Sequence, residues 1–195
     1  FAPGEGRRAH YANINFELLG KIIESVTNSR LEKVFRALIF NPLGLENTYL
    51  PEKEDDLIPS IYYKDTVLNI SRMILSIRAS GGCISTAREL MIFIKAFFNG
   101  KLFDHTVVFE QEINNRLQAS MLPIHYGAGY MRIPLNGFAT FFMGKGELFG
   151  HSGSTGSFAF YYPEKDMFFV GDVNQMANPA IPVRLAIQLA LSMKA

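Results

Sequence analysis

Apolar residues recur at three- and four-residue spacing from Ile14 through Leu18, Leu19, Ile22, Ile23 and Val26. That pattern is one face of an amphipathic helix, and Asn28 supplies its stop. A second helix is predicted with Leu31, Val34, Phe35, Leu38 and Ile39 facing inward, ended by Asn41-Pro42 and turned by Gly44. Residues 51–65 are polar and carry Pro51 and Pro59, which reads as surface loop. The segment from Val67 to Ile77 is predicted helical. Thr86 with Glu89 forms a capping box that opens the next helix. Its buried face is Leu90, Phe93, Ile94 and Phe97, and Asn99-Gly100 closes it.

After Pro123 the period changes. Residues 126–133, 138–143, 157–162 and 167–173 are short, aromatic and β-branched, and turn residues separate them. Pro163-Glu164-Lys165-Asp166 reads as a hairpin loop. Asn178-Pro179 reads as an N-cap with proline at the first helical position. Beyond it, Ala180 to Met193 reads as a buried helix. Helices, then antiparallel strands, then a closing helix predict an α+β fold: an antiparallel β-sheet flanked by helices. With no repeat or linker, residues 1–195 read as part of a single domain.

Composition narrows the function. Nearly half of the 195 residues are hydrophobic and 17 are Phe, enough for a packed core. The 19 Lys and Arg nearly cancel the 18 Asp and Glu, and no basic stripe interleaves with aromatics, so nucleic acid is not an expected partner. No apolar run reaches the roughly 18–20 residues of a membrane span. Cys83 is the only cysteine; it excludes an internal disulfide and reads as a small buried hydrophobe.

Several motifs fail. Gly144-Lys145-Gly146 lacks the spacing of a phosphate-binding loop. His10, His105, His125 and His151 lack metal-ligand spacing. Gly150-His151-Ser152-Gly153 brings its second glycine one residue too early for a nucleophile elbow. Two segments remain. Tyr11-Ala12-Asn13 stands at the mouth of the first helix, where the ordinary reading is a packing aromatic beside a capping Asn. Gly150-His151-Ser152-Gly153-Ser154-Thr155-Gly156 leads into a strand, where the ordinary reading is a turn.

In order along the chain, these segments resemble the serine β-lactamase, penicillin-binding protein and esterase family, especially its class C-like branch. The resemblance runs through Pro3-Gly4, Tyr11-Ala12-Asn13 and the helix containing Leu18-Leu19-Gly20-Lys21. Phe40-Asn41-Pro42-Leu43-Gly44-Leu45-Glu46-Asn47-Thr48 continues it. So do Ser80-Gly81-Gly82 with Ser85-Thr86-Ala87-Arg88-Glu89-Leu90, Tyr126-Gly127-Ala128-Gly129-Tyr130, and His151-Ser152-Gly153 with Gly156. The family is marked by a Ser-x-x-Lys, a Tyr-x-Asn and a Lys-Thr-Gly or His-x-Gly element. No serine here is followed three positions later by lysine. The chain, opening on Phe1, therefore reads as a C-terminal portion that lacks the nucleophile and is inactive as it stands.

The resemblance implies a β-lactamase/transpeptidase-like, N-terminally truncated fold and acyl transfer through a covalent acyl-enzyme. The substrates implied are D-amino-acid peptides, β-lactams or small esters. Tyr11 would be the base or proton relay, its phenolate favoured by nearby positive charge. Asn13 would hold the substrate amide and the Lys. The Ser154 N–H would donate into the oxyanion hole. His151, Ser152 and Gly153 would line the substrate strand, with Gly153 leaving room for substrate. His151, mostly neutral at pH 7, suits a substrate carboxylate less than lysine does. No cofactor or metal is implied, and an extracytoplasmic or membrane-associated location is. A non-catalytic relative binding peptidoglycan-like peptides or a partner is the second reading. A sheet missing its first strands should also self-associate.

Overall fold

The computed structural model describes residues 11–104, 115–116, 123–127, 129–137, 140 and 143–193. The loop ahead of Tyr11, with Arg7, Arg8 and His10, lies outside them, as do His105, Ala128 and most of the strand expected over 138–143.

Helix α1 spans Asn13–Thr27 and stops at Asn28, which takes the left-handed conformation at φ 48°. Its orientation reverses the usual one. Ile14, Leu18, Leu19, Ile22 and Val26 are all exposed, and Gly20 is the buried residue. The inward side carries carboxylates with work to do: Glu17 accepts from the Ser80 N–H at 2.9 Å, and Glu24 accepts from the Leu31 N–H at 3.0 Å. Gly20 permits this approach, because a Cβ there would lie 2.6 Å from the Ala79 Cβ.

The second helical stretch is α2 (Leu31–Phe35), a π turn (Arg36–Phe40) and α3 (Asn41–Leu43), ended by Gly44 at φ 66°. Leu31, Val34 and Phe40 are buried, but Leu38 faces solvent. Asn41-Pro42 does not end the helix. The Asn41 N–H bonds five residues back to the Arg36 carbonyl, and Pro42, which lacks an N–H, sits in the first turn of α3 where none is needed.

Ile61–Tyr63 (β1) and Thr66–Leu68 (β2) form an antiparallel hairpin across Lys64, held at φ 55°. That replaces the expected loop over 61–65 and the first part of the expected helix, which begins only at Ser71 (α4, Ser71–Ser76). Helix α5 spans Ala87–Phe98; the Thr86 hydroxyl accepts from the Glu89 N–H at 3.2 Å. The Glu89 carboxylate does not reciprocate as in a full capping box. It turns to Asn47 and Thr48 instead. Cys83 is exposed as a residue, between a buried Gly82 and an Ile84 that bridges to Tyr49, while burial of its sulfur pushes the thiol up to about 12.

The main sheet has six antiparallel strands in sequence order: β3 (Asn115–Arg116), β4 (His125–Tyr126), β5 (Met131–Pro134), β6 (Glu147–Ser152), β7 (Ser157–Tyr162) and β8 (Met167–Asp172). Alternation sends Ile133, Leu148, Phe160 and Phe169 to one face, where Ala186 and Ala190 of the closing helix α6 (Ile181–Ser192) complete the core. Helix α6 starts later than Asn178-Pro179 suggests. Pro182 occupies its first turn, and the Asn178 side chain accepts from the Ala180 N–H just ahead of it. The opposite face presents Tyr161 and Phe168 to Phe98 and Lys95 of α5. Among the described residues no helix is long and apolar enough to cross a membrane.

Candidate active site

The mouth of α1, the end of β6, the starts of β5 and β7, and one side of α5 line a cavity of about 660 Å³. Tyr11, Asn13, His151, Ser152, Gly153 and Ser154 all line it. The six site residues expected from the sequence therefore meet in one place, although more than 130 positions separate the two segments. The remaining wall is largely apolar, with Leu90, Phe93, Ile94 and Phe97 of α5, and Ser80, Thr155, Ser157 and Tyr130 add hydroxyls to it. No Lys, Arg, Asp or Glu lines it among the described residues.

Tyr11 precedes α1 and is half-buried against Phe16, Tyr126 and His151, with ring centroids 5.8, 5.1 and 5.9 Å away. Among the described residues its hydroxyl makes no hydrogen bond. Burial pushes the phenol above its ordinary value. The positive charge expected to favour a phenolate is not supplied by the described residues, where burial acts unopposed.

Asn13 is the first residue of α1 and is exposed. It is not the cap: Ala12 occupies that position, without a side-chain hydrogen bond. The Asn13 amide is thus uncommitted among the described residues.

His151 comes near the end of β6, held by two hydrogen bonds. Its Nδ1 lies 2.8 Å from the Ser152 carbonyl oxygen and its Nε2 3.1 Å from the Tyr126 hydroxyl. A carbonyl can only accept, so Nδ1 carries the hydrogen and Nε2 accepts from the phenol. Burial lowers the imidazole's pKa below its ordinary value, only partly offset by the bond to Ser152. His151 is therefore neutral at pH 7. Gly150 lets β6 and β7 close up beside it: a Cβ at Gly150, whose φ is 155°, would lie 2.0 Å from the Ala159 carbonyl oxygen.

Beyond Ser152 the chain turns tightly. The Gly153 N–H donates to the Ser157 carbonyl at 2.8 Å and the Gly156 N–H to Gly153 at 3.2 Å. Ser154 is exposed on this turn, and among the described residues its N–H has no acceptor. The room at Gly153 faces the turn itself, since a Cβ there would meet the Ser157 Oγ at 2.9 Å.

Sequence reasoning assigned no role to Tyr126, whose hydroxyl is the only side-chain hydrogen-bond partner of His151 among the described residues. The Tyr-Gly-x-Gly-Tyr hairpin marked its position but not its direction.

The sequence matches the profile of the Beta-lactamase family over residues 1–192. No curated protein matches it. Among solved structures, a D-stereospecific amidohydrolase from Streptomyces sp. superposes over 100% of this chain with a TM-score of 0.78 at 24% identity. An octameric penicillin-binding protein homologue from Pyrococcus abyssi covers 93% with a TM-score of 0.71 at 25% identity. EstCE1, a hydrolase with promiscuous acyltransferase activity, covers 95% with a TM-score of 0.73 at 18% identity. The chain spans 57%, 42% and 56% of those three chains respectively. Profile, sheet topology and helical layers agree: this chain belongs to the Beta-lactamase family and has its mixed fold of helices on an antiparallel sheet.

Proposed function

We propose that this chain is the Tyr-x-Asn and His-x-Gly part of a serine hydrolase that cleaves amide or ester bonds through an acyl-enzyme. The observation that carries the reading is the convergence of Tyr11, Asn13 and the 151–154 turn on one cavity. A Ser-x-x-Lys, absent from these 195 residues, completes the site from another part of a longer parent; the chain alone is inactive.

In the completed site the lysine ammonium stands beside Tyr11 and reverses the effect of burial, bringing the phenol toward proton acceptance. Tyr11 takes the proton of the attacking serine and returns it to the leaving group. Asn13 holds the substrate amide. The uncommitted Ser154 N–H stabilises the oxyanion, a contact whose loss costs on the order of 3 kcal/mol in comparable sites. A neutral His151 and a cavity wall without charge favour neutral amides and esters of D-amino acids over substrates gripped by a free carboxylate. The likeness to a D-stereospecific amidohydrolase supports that direction.

The test is the parent gene upstream of the Phe1 codon. The reading requires a Ser-x-x-Lys there at a helix start. A parent without one has kept the fold without the chemistry, and a non-catalytic binder of peptidoglycan-like peptides takes its place.

A further inference from the structure

Two tyrosines flank His151, and their hydroxyls are in different situations. The Tyr11 hydroxyl is uncommitted among the described residues, whereas the Tyr126 hydroxyl reaches the imidazole Nε2 at 3.1 Å. Tyr126 is itself well placed to hold a fixed geometry. It is 9% exposed, belongs to the core cluster formed with Met131 and Phe160, and pairs through its backbone with Met131 in β5. Its ring stands nearly perpendicular to the imidazole, at 83° and 5.6 Å between centroids, and edge-on to Tyr11 at 5.1 Å. The Ser152 carbonyl fixes the other imidazole nitrogen as the proton carrier. Both ring nitrogens are therefore engaged by the protein itself.

We infer that Tyr126 is the positioning residue of this cleft: its O–H, donated to Nε2, locks the His151 ring in its Nδ1–H tautomer and withholds Nε2 from the substrate. His151 then acts as a wall and not as a base. Had Nε2 been open to the cavity, an imidazole would compete with Tyr11 for the serine proton. With Nε2 occupied, the Tyr11 hydroxyl, which makes no hydrogen bond among the described residues, is the uncommitted proton carrier beside the imidazole. Burial raises the Tyr126 phenol, as does its neighbour Tyr11, and keeps it a donor. Among the described residues, the titratable groups against the imidazole are those same two phenols, Tyr11 from the start of α1 and Tyr126 from β4. The functional sense rests on the acyl-transfer reading above, but the hydrogen-bond geometry can be measured without any turnover.

The experiment is a long-range imidazole ¹H–¹⁵N spectrum of the ¹⁵N-labelled 195-residue chain at neutral pH, with His151 assigned by comparison with H151Q. The expected result is an Nδ1-protonated imidazole with a hydrogen-bonded Nε2. In Y126F, which keeps the ring, Nε2 should shift toward the unbonded value. Carbethoxylation of His151, followed by mass spectrometry, should accelerate about tenfold, the factor one ordinary hydrogen bond is worth. A wild-type spectrum showing the Nε2–H tautomer overturns the inference without any variant. So does a Y126F protein whose Nε2 shift and modification rate match the wild type. Either result leaves the acyl-transfer reading standing, because that reading is tested separately, by the Ser-x-x-Lys of the parent and by active-site labelling of the parent and its Tyr11→Phe variant.

Discussion

Glu89 is the most consequential buried carboxylate among the described residues, and removing it should loosen the wall of the cavity. It is 6% exposed and sits in the first turn of α5. The Asn47 N–H donates to it at 2.9 Å, the Asn47 amide at 2.8 Å, and the Thr48 hydroxyl also donates; Thr48 in turn meets Ser85 at 2.7 Å. This cluster ties the 44–50 turn to the helix that supplies Leu90, Phe93, Ile94 and Phe97 to the cavity. Glu89→Ala leaves three donors without their acceptor, and each buried orphan costs about 1–3 kcal/mol. Water can reach the exposed Asn47 but not Thr48, which is 6% exposed. The expected loss is therefore about 2–4 kcal/mol, a large share of a typical stability of roughly 5–15 kcal/mol. Glu89→Gln keeps the shape and loses the charge, and should cost about 1–2 kcal/mol.

The pH dependence adds a second signature. Burial pushes the Glu89 carboxyl up, but the bonds from Thr48 and Asn47 outweigh it and hold the group below its ordinary value. A depressed carboxyl contributes fully above the unfolded value, about 4.3, and that contribution is lost as pH falls through the lower folded value. The gap between wild type and Glu89→Gln should therefore be constant from about pH 5 to pH 8 and narrow below about pH 4. The assay is urea unfolding followed by far-ultraviolet circular dichroism, since the chain has no Trp. A Glu89→Ala loss under about 0.5 kcal/mol, or a gap that widens on acidification, refutes the reasoning.

Other outcomes follow from the same geometry. Gly150→Ala should cost about 3 kcal/mol or more, because a Cβ 2.0 Å from the Ala159 carbonyl forces β6 away from β7; an unchanged melting temperature contradicts this. Ile14, Leu18, Leu19, Ile22 and Val26 of α1 are each more than half exposed, a contiguous apolar face, so the 195-residue chain should associate as concentration rises and Leu18→Glu with Ile22→Glu should abolish it. A wild type that sediments as a monomer throughout removes that expectation. In the completed parent, His151→Lys should raise kcat/KM for substrates bearing a free carboxylate relative to their amides, and an unchanged preference would sink the carboxylate argument.

Much of this architecture is legible in the chain, and the failures have physical reasons. The three- and four-residue period located α1 and α5, and the Thr86 cap placed the start of α5 correctly. Periodicity does not say which side of a helix is covered, however. On α1 the partners of Glu17 and Glu24 decide that, and they lie as far as sixty residues away. The β1–β2 hairpin escaped because Lys64 takes the left-handed turn position usually marked by Gly or Asn. Strand β7 was read with its observed bounds, while Glu147–Phe149 of β6 was missed, its alternation masked by the glycines around it. Tyr11, Asn13 and the 151–154 turn were legible as an ordered set through their resemblance to a family. The His151–Tyr126 bond was not, because it depends on how two strand ends approach in space.

As the acid–base and oxyanion side of a serine acyl-transfer site, these residues need a reactive serine elsewhere in the parent protein. The most direct test is covalent labelling of the parent protein with a fluorophosphonate or a penicillin, beside its Tyr11→Phe variant and the isolated 195-residue chain. The proposed role of Tyr11 requires stoichiometric labelling of the parent at a serine outside these residues, a labelling rate reduced at least a hundredfold in Tyr11→Phe, and no labelling of the isolated chain. An unlabelled parent, or one in which Tyr11→Phe labels at the wild-type rate, contradicts it.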